Sequence, residues 1–384
     1  MTARRWDLFC NVIDNFGDIA VSWRLARQLH VVHGLAVRLW VDDLATFHRL
    51  VSGVDATARV QHVDGVEIGH WTPDADLGEP GDVVVDVFGS RAPDAFVERM
   101  ARKAPPPVWI NLEYLSAEDW VEDCHGMQSP HPQLPIVRHF FFPGFTEATG
   151  GLIEERDLAL DRFSFLRDPA MAAAAWAGWH FDPPAAGTTV VSLFGYGGPS
   201  VASMLEAWAS GDAPVCGVLP PSRMSRDVLA FFGVDGALPG TRLVRDALEV
   251  RTIPFQTQAG YDRLLWLSDC NFVRGEDSFV RAQWAESPFV WQIYPQEGGA
   301  HWTKLHSFVN TYGEGLEEDA RDAVREFWRL WNRGETSAAN LGHAWRRFWS
   351  WRDDLRAHDA GWAAHLRTIG NLTENLVRFS AARI

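Results

Sequence analysis

Positive charge is in short supply. Lys and Arg number 35 against 50 Asp and Glu in 384 residues, a formal charge of −15. A phosphate-backbone binder needs a basic footprint and a polybasic anchor needs a basic run, so neither nucleic acid nor a membrane surface is expected as a partner. A local basic pocket stays open. Cysteine is scarcer still: Cys10, Cys124, Cys216 and Cys270 are scattered without CxxC or other metal-ligand spacing, and read as reduced thiols. No window approaches the roughly 18 apolar residues of a membrane span. The opening MTARRWDLFCNVI carries basic residues but only a short apolar stretch before Asp14, with no h-region or small-residue cleavage site. The expectation is a soluble, cytoplasmic protein.

What the chain does have is apolar side chain, 47% hydrophobic against 22% charged, ample for buried cores. Its length suggests roughly two to three domains. The 19 tryptophans are expected to be mostly core, since indole buries a large area.

Short apolar runs alternate with amphipathic stretches. WDLFCNVI reads as a buried strand, DNFGD as a turn, and IAVSWRLARQLHVVHG as a helix ending at Gly34. AVRLWV, GDVVVDVF and PVWINLEYL continue as strands, with APDAFVERMARK helical between the last two. From about Cys124 to Asp168, Pro and aromatic residues break the pattern, and FDPPAAGT marks a boundary. Alternation restarts with TTVVSLFGY and runs to PFVWQIYP, after which the chain reads as helical almost throughout. These signals predict an α/β protein: a Rossmann-like domain over 1–183, a second over 184–357, and a C-terminal helix over 358–384 packing back on the first. Ligands of such sheets sit outside the carboxyl ends of the strands.

Three strand-to-helix turns stand out. In Asp14-Asn15-Phe16-Gly17-Asp18 a dinucleotide fold would place glycines, and two carboxylates would repel a diphosphate. A cation, a hydroxyl or a proton-transfer task suits this turn better. An N-cap role for Asp18 is the economical alternative, and both stand at this point. Phe194-Gly195-Tyr196-Gly197-Gly198 has no acid, and its glycines would offer amides to an anion or simply make a tight turn. In Arg274-Gly275-Glu276-Asp277-Ser278, Asp277 or Ser278 could cap the following helix, whose N-terminus favours an anion, and Arg274 supplies a forked guanidinium suited to phosphate. Taken alone, the motif is read more simply as an ordinary cap with a surface ion pair. Asp74-Ala75-Asp76 and the irregularly spaced His125, His131 and His139 are weak metal candidates, and no dedicated metal or cofactor is indicated.

NVIDNFGDIAVSWRLARQL together with VRGEDSFVRAQW resembles the EarP family, protein-arginine rhamnosyltransferases that modify bacterial translation elongation factor P. The likeness spans the chain through SLFGYGG, PFQTQAGYDRLLWLSDCN and WQIYPQEGGAHWTKL. It implies a GT-B-type glycosyltransferase fold, two Rossmann-like domains facing a cleft with a helical C-terminal tail. It also implies dTDP-β-L-rhamnose as donor, inversion at the anomeric carbon, and elongation factor P as protein acceptor. By position, Arg274, Gly275, Asp277 and Ser278 would hold the diphosphate, with Tyr196 reaching the phosphates through its hydroxyl. Phe255 and Gln258 would flank the thymine, and Asn15, Phe16 and Gly17 would line the rhamnose. The acceptor guanidinium is cationic, with a pKa of about 12.5–13.8, and is a poor nucleophile. The acidic turn is what it needs: Asp18 is expected to orient it and take its proton, with Asp14 a second anchor and Glu276 a third catalytic candidate. Rival readings are a nucleotide-sugar epimerase or hydrolase, and a non-catalytic nucleotide-sugar-sensing module. Fold alone does not separate them.

Overall fold

The computed structural model describes residues 4–13, 16–334 and 336–384. The chain folds as two compact units, Met1–Arg156 with Leu366–Ile384, and Asp157–His365.

The first unit holds β1 (Arg5–Cys10), β2 (Ala36–Val41), β3 (Val60–Val63), β4 (Val66–His70), β5 (Val83–Val87), β6 (Val108–Leu112), β7 (Gln128–Pro130) and β8 (Val137–Phe141). They form one sheet in the order β3-β4-β2-β1-β5-β6-β8-β7. Its interior pairings are parallel, while the edge pairs β3/β4 and β7/β8 are antiparallel. VVVDV of β5 and VWINL of β6 are buried at every position, as strands covered on both faces must be. Buried Asp7 on β1 accepts from Arg38 Nε at 2.5 Å and from the Gly81 amide at 2.6 Å, tying β1 to β2 and to the turn before β5.

The second unit holds β9 (Thr189–Leu193), β10 (Val215–Leu219), β11 (Arg242–Arg245), β12 (Leu248–Thr252), β13 (Cys270–Arg274) and β14 (Phe289–Gln292), ordered β11-β12-β10-β9-β13-β14. Only the β11/β12 pair is antiparallel. Most tryptophans are core. Phe272 meets Trp208 and Trp331 edge-on at 5.6 and 4.8 Å, and Trp208 meets Trp345 at 5.4 Å. Trp120, half exposed, is an exception.

The unit bounds differ from the sequence-based divisions at 183/184 and 357/358. Helices Leu158–Arg167 and Pro169–Gly178 pack with the second unit. Arg162 donates to the Ala285 carbonyl and pairs with Glu286, both at 2.8 Å, and Trp176 and Trp179 cluster with Val190, Val218 and Leu264. The proline-rich FDPPAAGT is therefore a connection inside that unit. At the other end the helical stretch breaks at Gly370. Helix Leu372–Ala381 starts on an Asn371 cap, and the Leu372 amide donates to the Leu152 carbonyl at 2.9 Å. Phe379 on this helix meets Phe141 at 5.2 Å, so the C-terminal segment completes the first unit.

Both sheets change direction once. The chain lays β2 and β4 on one side of β1, then places β5 and β6 on the other; β9 stands likewise between β10 and β13. The carboxyl ends of β1/β5 and β9/β13 are thus topological switch points, where outgoing loops part and leave a crevice.

Candidate functional site

The acidic turn leaves the first switch point. Cys10 ends β1 level with Val87 of β5 and Val41 of β2, so the next residues reach groups on both neighbours. The Asn11 amide donates to Ser90 Oγ at 2.8 Å, beyond β5. Asn11 Nδ2 and the Val12 amide both donate to Asp42, beyond β2, at 3.0 and 2.9 Å. The Ile13 amide donates to Asp18 Oδ2 at 2.8 Å. Asp18, only 3% exposed, lies in the first turn of helix Gly17–Val31, whose N-cap position belongs to Phe16. Asp18 is therefore not the N-cap; its carboxylate reaches back and fastens the loop ahead of the helix. Half-buried Phe16 lies 5.1 Å from the Arg49 guanidinium, and Gly17 opens the helix. Asp14 and Asn15 fall outside the described residues.

Two buried groups support this turn. Asp86 on β5 accepts from the Ala92 amide at 3.1 Å and from Trp109 Nε1 at 2.9 Å, fixing the segment that carries Ser90. Burial pushes its carboxyl up to about 7, against the pull of those bonds. The Cys10 thiol is pushed far up, chiefly by burial and further by Asp18 and Asp42, which keeps it an inert thiol.

In the second unit the glycine-rich turn follows β9. Tyr196 donates its amide to Gln292 Oε1 at 2.7 Å, Gln292 Nε2 donates to the Gly197 carbonyl at 2.8 Å, and the Gly198 amide donates to Asp227 Oδ2 at 2.7 Å. The expected offer of amides to an anion is thereby corrected at Tyr196 and Gly198, whose N–H groups are spent inside the protein. The glycines have a different cause. A Cβ on Gly195 would stand 2.1 Å from Met224 Cε, and one on Gly197, at φ 90°, would stand 2.3 Å from Asp227 Oδ2.

Arg274 ends β13, the strand beside β9, with its residue 5% exposed. Its guanidinium lies over the rings of Tyr196 at 4.6 Å and Phe194 at 5.0 Å, and Tyr294 meets the Tyr196 ring edge-on at 5.4 Å. Gly275 takes φ 59°, and its carbonyl accepts from Trp291 Nε1 at 2.8 Å. Helix Asp277–Trp284 follows with Glu276 at the N-cap position. Ser278 does not cap it: its hydroxyl accepts from the Arg274 amide at 3.0 Å and donates to the Arg274 carbonyl, closing the turn on itself. Glu276 and Asp277 are half-buried. Half-buried Phe255 precedes helix Gln258–Trp266, which half-buried Gln258 opens after the Thr257 cap. The buried hydroxyl of Tyr261 on that helix sits among Ser278, Asp277 and Arg274, and burial pushes its phenol up. Tyr196, Arg274 and Ser278 are thus brought together around the second switch point.

Sequence reasoning passed over the residues that hold these turns: Asp42, Ser90, Asp227 and Gln292. For Asp42, Ser90 and Gln292 the available signal was a position just past a strand or at its end; Asp227, inside helix Met224–Phe231, carried none. Two of the weak metal candidates bond within their own loops. Asp76 accepts from the Gly78 amide, and His131 accepts the amides of Gln133 and Leu134. Among the described residues no group of three His, Cys, Asp or Glu side chains could hold a metal ion, and no helix is long and apolar enough to cross a membrane.

Residues 6–381 match the family model described as Elongation-Factor P (EF-P) rhamnosyltransferase EarP. The chain belongs to the EarP family. Protein-arginine rhamnosyltransferases of Pseudomonas putida and Pseudomonas aeruginosa are 45% and 40% identical to it, over 97% and 98% of this chain and 98% of each relative. A solved structure described as the structural basis for EarP-mediated arginine glycosylation of translation elongation factor EF-P superposes with a TM-score of 0.70 at 33% identity, over 99% of this chain and 100% of that one. The glycotransferase of kitacinnamycin shares the fold at 12% identity, with a TM-score of 0.52 over 99% of this chain and 100% of that one. The architecture is the GT-B glycosyltransferase type, and the EarP members it matches along its whole length are enzymes that rhamnosylate protein arginine.

Proposed function

We propose that the protein transfers L-rhamnose from dTDP-β-L-rhamnose to an arginine side chain of translation elongation factor P, with inversion to the α-glycoside. The observation that carries this reading is the opposed chemistry of the two switch points. One presents a buried carboxylate, Asp18, and the other a guanidinium, Arg274, set among aromatic rings.

Asp18 accepts an N–H of the incoming guanidinium and turns its nitrogen lone pair toward the anomeric carbon. A new C–N bond forms as the bond to the β-phosphate oxygen breaks, and the departing dTDP keeps that electron pair. The proton lost from nitrogen goes to Asp18, so the product guanidinium stays cationic. Asp14, and Glu276 from the sugar side, supply further negative charge and hydroxyl contacts. Asn15, Phe16 and Gly17 line the rhamnose. Arg274 neutralises the leaving diphosphate with its fork, helped by Tyr196 and by the amides of Gly275 and Asp277 at the helix N-terminus. Ser278 acts through Arg274, whose backbone it clasps. Phe255 stacks on the thymine and Gln258 hydrogen-bonds it.

Tandem mass spectrometry and the anomeric coupling in the NMR spectrum of the glycosylated factor test this reading. One deoxyhexose on one arginine as the α-anomer is expected; a β-anomer, or attachment elsewhere, would overturn it.

A further inference from the structure

Gln292 is the last residue of β14 and stands in register with Arg274, the last residue of β13. Its amide reaches across to the turn after β9, taking the Tyr196 N–H and giving an N–H to the Gly197 carbonyl. Tyr196 returns the connection, since its ring lies under the Arg274 guanidinium at 4.6 Å. The three residues close a circuit: β13/β14 pairing, the Gln292 clamp, then the cation over the ring. Only one amide orientation fits, because a backbone N–H must donate and a carbonyl must accept. A Cβ on Gly195 would stand 2.6 Å from Gln292 Oε1, so the clamp also accounts for a glycine.

We propose that Gln292 is a positioning residue for the nucleotide-sugar, setting the place of the Tyr196 hydroxyl and the Arg274 fork without touching the donor itself. This rests on the donor reading given above. Glutamate cannot replace it. A carboxylate accepts the Tyr196 amide but presents its second oxygen to the Gly197 carbonyl, and its charge draws the Arg274 guanidinium away from phosphate.

The test is calorimetric binding of dTDP to the wild type, Gln292→Ala, Gln292→Glu, Tyr196→Ala and the Gln292→Ala/Tyr196→Ala double variant, with KM for donor and acceptor measured alongside. Loss of two neutral hydrogen bonds should weaken dTDP about tenfold in Gln292→Ala. Donor KM should rise by a similar factor while acceptor KM stays put, and in the Tyr196→Ala background the added effect should shrink to about twofold. Gln292→Glu, close to isosteric, carries the same expectation if the alanine variant folds poorly. Unchanged dTDP affinity, or a full tenfold effect added on top of Tyr196→Ala, would overturn the positioning role while leaving the donor reading intact. A wild type that does not bind dTDP would overturn the donor reading and this inference with it.

Discussion

Removing the carboxylate of Asp262 should destabilise the second unit by about 3–5 kcal/mol, the cost of breaking a buried, doubly bonded ion pair from one side. Asp262 on helix Gln258–Trp266 takes Nε and Nη2 of Arg281 on helix Asp277–Trp284, both at 2.8 Å. The side chains are 8% and 1% exposed, so water has little access to screen or replace either. Asp262→Ala takes both carboxylate bonds from the buried guanidinium, whereas Asp262→Leu with Arg281→Met removes both charges and should lie within about 1 kcal/mol of wild type or above it. In urea, with m near 2–3 kcal/mol/M for a unit of this size, the single variant should lose about 1–2 M in midpoint at unchanged slope. Tryptophan fluorescence reads the transition. A single variant indistinguishable from wild type, or a double variant worse than the single, would show that this ion pair does not hold the two helices together. Since the two helices open on Gln258 and Asp277, the single variant should also bind dTDP more weakly.

Gly197→Ala forces a Cβ to 2.3 Å from Asp227 Oδ2 at φ 90°, so donor KM should rise several-fold in steady-state assays while acceptor KM holds. Asp42→Ala releases Asn11 and Val12 and should lower kcat roughly tenfold with donor KM unchanged; wild-type turnover would show that the acidic turn needs no such tether. Asp359, bonded by the Tyr312 hydroxyl at 2.6 Å, has its carboxyl pushed up to about 7 by burial. The folded protein keeps that proton where the unfolded chain has released it, so this contribution to stability is complete below about pH 4 and is lost as pH rises through 7. Asp359→Asn keeps an oxygen for Tyr312, and its urea midpoint relative to wild type should climb between about pH 5 and pH 8; a constant difference would contradict the shift.

Strands β1, β2, β5, β6, β9, β10, β13 and β14 were legible because parallel strands buried on both faces read as largely apolar runs, as in VVVDV and VWINL. The strands flanking them were not: VQHV at β3, VEIGH at β4, VRHFF at β8, RLVR at β11 and LEVRT at β12 mix polar with apolar residues, and QSP at β7 hides in a proline-rich stretch. The unit boundary escaped notice because contacts, not composition, decide it. Leu158–Arg167 leaves Leu160, Phe163 and Leu166 exposed and belongs to the second unit through Arg162 and Phe165. The three functional turns were visible as breaks in periodicity with unusual residues. Their internal bonding was not, because Ile13 to Asp18, Ser278 to Arg274 and Gln292 to Tyr196 depend on backbone direction and strand register.

Proton transfer to Asp18 as rhamnose passes to arginine is the step on which the proposed reaction turns. Intact-mass spectrometry of elongation factor P, incubated with dTDP-β-L-rhamnose and either wild-type protein or Asp18→Asn, tests it most directly. One added deoxyhexose is expected with wild type and almost none with the variant, while dTDP binding survives. Near-normal addition by Asp18→Asn, or free dTDP accumulating with no mass gained by the factor, would contradict it.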